Sequence, residues 1–91
     1  MKIQITQETI EKAREFYNND EEGCHYPIYS HCPTALTLKN LFNEKDVEVG
    51  FVIARVGKKQ FNLSEDLKRE VNNFTMQVIF TPGEYELTER V

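Results

Sequence analysis

Apolar and polar residues alternate at the start of the chain. Ile3 and Ile5 sit between Lys2, Gln4 and Thr6, the period of a short strand with one buried face. The period then lengthens. Ile10, Ala13, Phe16 and Tyr17 fall on one side of a helix and Glu8, Glu11, Lys12 and Glu15 on the other, which predicts a helix from a Thr6 cap to Asn18. Asn18-Asn19-Asp20 ends it, and Asp20-Glu21-Glu22-Gly23 reads as a solvated acidic loop. Pro27 disfavours helical geometry at Tyr26, so Cys24 to His31 is expected to be irregular, with Ile28 and Tyr29 extended.

Pro33 suits the first position of a second helix, where its missing N–H costs nothing. Ala35, Leu38, Leu41 and Phe42 are its expected buried face with Leu36 at the flank, and Asn43 to Asp46 is the exit turn. Val47, Val49, Phe51 and Ile53 alternate with Glu48, Gly50, Val52 and Ala54, which predicts a central strand covered on both faces in its second half. Gly57-Lys58-Lys59 is a turn into a partner strand marked by Phe61 and Leu63, the clearest hairpin in the chain. Ser64 caps a third helix with the stripe Leu67, Val71 and Phe74. Met76, Val78 and Phe80 alternate as a further strand, Thr81-Pro82-Gly83-Glu84 turns, and Tyr85 to Leu87 is a short last strand. The order is β-α-α-β-β-α-β-β. It predicts an α+β fold, one mainly antiparallel sheet of four or five short strands with three helices, in a single domain over residues 1–91.

Composition narrows the function classes. At 40% hydrophobic residues and 91 in all, there is core material for one small domain that stands without metal or disulfide help. No apolar run approaches the ~20 residues of a membrane span and no signal-peptide core opens the chain, so a cytoplasmic protein with no membrane partner is expected. Fifteen acidic against 11 basic residues give a net charge of −4, which argues against a nucleic-acid backbone as partner. Walker loops, glycine-rich dinucleotide turns, nucleophile elbows and paired zinc histidines on a helix are all missing from the sequence.

The chemistry-bearing residues crowd between Cys24 and Phe42, which holds both cysteines and both histidines. Cys24, His25, His31 and Cys32 could supply zinc with four ligands, although adjacent ligands point apart on an extended backbone. A Cys24–Cys32 disulfide is a second reading and runs against the cytoplasmic setting. The plainer one is buried thiols beside surface imidazoles. Cys32 at a helix start could also be an activated thiol with His31 or His25 as base, though no oxyanion hole accompanies it. The same helix start could hold an anion on the N–H groups of Thr34 and Ala35. Tyr26 and Tyr29, near His25 and His31, could wall an aromatic pocket for a base or a partner side chain, or simply cover the sheet edge.

Cys32-Pro33-Thr34-Ala35-Leu36-Thr37-Leu38 resembles the Cys-Pro-x-Ala-x-Ala-Leu helix start of small uncharacterised phage and prophage proteins. Those proteins are similar also in an opening Ile-Thr segment and helix (Ile5-Thr6 and Ile10 here) and in a Val-x-Val-Gly strand, Val47 to Gly50. A Leu-led helix ending near Phe, Leu63 to Phe74, and a closing Pro-containing aromatic strand, Pro82 to Leu87, complete the resemblance. The loop with Cys24, His25 and His31 departs from the pattern, so any ligand set there belongs to this chain alone. The resemblance implies a phage setting, hence a host-cell cytoplasm, and no established activity. The function expected is non-catalytic: an accessory protein that counters a host defence by binding a host protein or sequestering a nucleotide signal. Its expected surface is His25, Tyr26, Tyr29, His31, Cys32 and Thr34. A zinc-stabilised interaction module and a small thiol enzyme using Cys32 are the alternatives, and a homodimer through an exposed sheet edge is compatible with each.

Overall fold

A computed structural model of the chain describes residues 1–19 and 31–90, with the side chains of 17–19 left aside. Strand β1 (Lys2–Ile5) leads into helix α1 (Gln7–Asn19), and helix α2 (Pro33–Phe42) follows. Three strands come next, β2 (Val47–Val49), β3 (Ile53–Val56) and β4 (Lys59–Leu63), then helix α3 (Glu65–Gln77) and strand β5 (Gly83–Glu89). All strand pairs are antiparallel, in the order β1-β5-β4-β3-β2. The α+β class, the three helices and the strand number are those the sequence predicts.

The caps explain where the helices begin. Thr6 Oγ1 accepts the Thr9 N–H at 3.2 Å at the start of α1, and Ser64 Oγ accepts the Leu67 N–H at 3.3 Å at the start of α3. Strand alternation sends Ile3 and Ile5, Ala54 and Val56, Phe61 and Leu63, and Leu87 into one core with Ile10, Ala13, Leu38, Leu67, Val71 and Phe74 from the helices. The opposite sheet face is largely polar, with Lys2, Gln4, Glu48, Asn62, Glu84, Glu86 and Thr88 exposed. Helix α2 touches β1 and β2, the two outer strands, so the sheet curls and α2 lies across its open side. The Cα radius of gyration is 11.7 Å, close to the ~12 Å that size scaling gives for a chain this long.

The order of elements departs from expectation at two places. The Val47–Ala54 segment is two strands, with a tight turn closed by a Gly50 N–H to Ile53 O bond of 2.9 Å. The turn changes the parity of the inward positions, from Val47 and Val49 to Ala54 and Val56, and leaves Phe51 and Val52 exposed. As a result β2 is an outer strand instead of a central one. The segment at Met76–Phe80 is no strand: α3 continues through Gln77, and Val78 caps it in the left-handed region at φ 57°. Met76 is 73% exposed, so the alternation read there is not a buried face. Phe80 is the buried residue of this segment, edge-on to Phe74 and Tyr85, and Val78 packs partly buried against the same core.

Two apolar side chains also sit elsewhere than expected. Leu41, read as part of the α2 core face, is 56% exposed, and Phe16 of α1 is 45% exposed. The expectations for the acidic loop, for the extended Ile28-Tyr29 stretch and for Tyr17 on the core face of α1 lie outside the described residues and side chains.

Candidate functional site

The start of α2 is built by Cys32. Its backbone is extended (φ −73°, ψ 166°) and its Sγ accepts the Ala35 N–H at 3.4 Å, while the Leu36 N–H bonds to Cys32 O at 2.9 Å. Sulfur is a weak acceptor, but here it takes the place that serine or aspartate oxygen takes in most caps. Pro33 brings no N–H. The Ala35 N–H is already taken by the Cys32 sulfur. The anion cradle expected on Thr34 and Ala35 is thus half used by the protein itself.

Burial separates the six expected site residues. Cys32 is 2% exposed, Thr34 is fully buried, and His31 is half-buried. The Cys32 thiol is therefore buried within the fold. Thr34 Oγ1 is buried with no hydrogen-bond partner among the described residues. The His31 ring stacks on Phe16, centroids 4.5 Å apart and planes 24° apart. His25, Tyr26 and Tyr29, and with them the remaining metal candidate Cys24, lie outside the described residues. Among the described residues, no three His, Cys, Asp or Glu side chains stand close enough together to hold a metal ion.

What the structure adds is Phe16. Sequence periodicity assigned it to the core of α1, yet its ring is nearly half exposed and faces His31 across the α1–α2 pair. The signal for this was thin: Phe16 stands one turn beyond Ala13, the last fully buried residue described on α1. The aromatic pocket expected on Tyr26 and Tyr29 lies outside the described residues, and the Phe16–His31 stack is a separate feature.

Surface depressions occur elsewhere among the described residues. One, between the α3 start and β1–β5, is lined by Lys2, Ser64, Asp66, Glu84, Tyr85 and Glu86, and carboxylates dominate it. Another follows the outer edge of β1 against Thr9, Thr37, Asn40 and Leu41. A further one lies at the β2–β3 turn beside Phe51 and Val52. Near that turn, Arg55 reaches Asp46 and Glu48, each at 3.0 Å, and the guanidinium bond holds the Asp46 carboxyl below the usual carboxylate range. Burial pushes the Tyr85 phenol up, with help from the Glu70 and Asp66 carboxylates, and its OH donates to Thr81 O. None of these groups forms a nucleophile–base pair.

No helix among the described residues is long and apolar enough to cross a membrane. Comparison with protein-family models, with curated proteins and with solved structures gave no match.

Proposed function

We propose that this is a non-catalytic binding protein, a phage-type accessory factor that counters a host defence by occupying a host protein in the cytoplasm of the infected cell. The observation that carries the reading is the Phe16–His31 stack at the head of α2, in which the Phe16 ring is nearly half exposed. Exposed aromatic side chains are favoured anchors in protein recognition, because they cover much area at small conformational cost. A protein partner is preferred to a nucleotide since the helix start beneath the stack is largely closed: Cys32 caps it, and Pro33, Thr34 and Ala35 are buried. The burial of Cys32 likewise supports a capping thiol over a nucleophile. The resemblance of Cys32 to Leu38 to phage proteins supplies the setting.

The test is plating of defence-sensitive phages on bacteria that carry individual defence systems and express the chain. Rescue of plating against at least one system is expected. Phe16→Ala and His31→Ala should abolish it while melting curves stay at the wild-type position. Rescue that survives both changes would remove the stack from the binding surface. Native mass spectra of chelator-free protein decide among the other readings: a retained nucleotide mass moves the assignment to signal sequestration, and one zinc per chain moves it to a metal-stabilised module.

A further inference from the structure

Among the described residues, strand β1 has a neighbouring strand on one side only, and the way its backbone is used defines what the other side offers. The Leu87 N–H bonds to Met1 O at 2.7 Å, and Ile3 and Ile5 stand opposite Tyr85 and Gly83 in the same ladder. Antiparallel pairing alternates, so Met1, Ile3 and Ile5 direct their backbone groups at β5. Lys2 and Gln4 direct theirs outward. Beside that edge runs a groove of about 480 Å³ walled by Thr9, Thr37, Asn40 and Leu41. Leu41 is the apolar residue of α2 that the helical pattern places in the core and the fold leaves half exposed.

We propose that β1 is a self-association edge, at which two copies pair their β1 strands antiparallel about a two-fold axis at Ile3 and continue the five-stranded sheet into one of ten. In this register Lys2 lies opposite Gln4 of the second copy and the reverse, and each pair exchanges two backbone bonds. The polar face then carries rows in the order Glu86, Lys2, Gln4, Glu84, the first two residues from one copy and the last two from the other. No like charges stand directly opposite, and the ammonium of each row lies inside its carboxylates. A two-fold axis at Gln4 fits less well, because it pairs Lys2 with Thr6, whose carbonyl already accepts the Ile10 N–H at 3.1 Å.

The opposite edge of the sheet is defended. On β2 the Val47 N–H is taken by Lys45 O at 3.1 Å. Self-pairing there about Val47 or Glu48 sets carboxylates against each other, Glu48 on Asp46 or Glu48 on Glu48, and pairing about Val49 runs off the three-residue strand. Acidic side chains on an outer strand are a known protection against edge-to-edge pairing. Lys2-Ile3-Gln4-Ile5 carries one charge, Lys2, and in the register about Ile3 it meets Gln4 of the second copy and no like charge.

Sedimentation velocity of the full chain over a wide concentration range tests the assignment. A reversible dimer is expected. Gln4→Pro removes an outward N–H without touching the β5 ladder, and should weaken the dimer at least about tenfold. Gln4→Lys places an ammonium opposite Lys2 of the second copy yet beside its own Glu84, so it should weaken the dimer, most at low salt, while leaving the monomer's melting curve at dilute concentration unchanged. If Gln4→Pro fails to fold, Gln4→Lys decides. A chain that stays monomeric at millimolar concentration overturns the proposal, as does a dimer indifferent to Gln4→Lys. The Phe16–His31 reading stands or falls separately, on plating.

Discussion

A hydroxyl withdrawn from water needs a partner, and Thr34 Oγ1 has none among the described residues. Its position two residues into α2 is buried on the side that faces the core, where Val would fill the same volume. Replacing the hydroxyl by a methyl removes an unpaired polar group and keeps the shape. Thr34→Val is therefore expected to stabilise the protein by about 1 kcal/mol, and Thr34→Ser, which keeps the hydroxyl and loses a methyl, to destabilise it by a similar amount. Chemical denaturation of the two variants checks both signs, and a destabilised valine variant would mean that the hydroxyl is paired in solution. The same residue shows how far composition and spacing reach. The sequence marks Thr34 as close to the site because it follows Cys32 and Pro33; its burial depends on how α2 lies across the curled sheet, which no local pattern encodes.

Among the elements, the β2–β3 hairpin carries its own electrostatic signature. Arg55, paired with Glu48 across the ladder, also forks onto both carboxylate oxygens of Asp46, at 3.0 Å each. The folded state thus favours ionised Asp46, and its pKa lies below the ordinary 3.8. With a depressed folded pKa, the stabilisation is present above the unfolded value and is lost as pH falls through the folded one. Solvent exposure keeps the effect on stability small. Arg55→Gln should return the Asp46 titration, followed by carboxyl NMR, to the ordinary range, and an unmoved midpoint would show that the fork does not persist in solution. This hairpin is also where strand periodicity misled. Alternation from Val47 to Ile53 looks continuous because Phe51 is apolar, and only the Gly50 N–H bond to Ile53 O shows that the chain reverses there. At α3 the error ran the other way. Met76, Val78 and Phe80 alternate, but Leu67, Val71, Phe74 and Val78 also follow a helical stripe, and the helix keeps its hydrogen bonds to the Val78 cap. By contrast, Gly57 at φ 59° allows the tight β3–β4 turn that its sequence announces, with Val56 opposite Lys59.

At the scale of the whole molecule, the α+β class and the three helices are legible in the chain, and the division and joining of strands are less so. Nothing in Gly83–Glu89 states that it inserts between β1 and β4, since its apolar positions are few: Tyr85 and Leu87. That insertion is a long-range pairing, and it leaves β1 and β2 as the two edges that α2 must bridge. Leu38 is the fully buried residue near the middle of α2, on a helix that touches α1, β1, β2 and β3. A bridge of this kind makes the two edges cooperative: neither β1 nor β2 can keep its inner face covered once α2 leaves. Leu38→Ala should cost about 3 kcal/mol, a large part of the 5–15 kcal/mol available to a domain, and lower the melting temperature by roughly 15 °C. Hydrogen exchange gives the sharper readout. Amides of β1 and β2, at opposite ends of the sheet, should lose protection together and by the same factor as the global unfolding constant. If α2 and β2 open while β1 and β5 keep wild-type protection, the sheet is stable without its bridge, and the β1 edge remains in place whether or not α2 is docked.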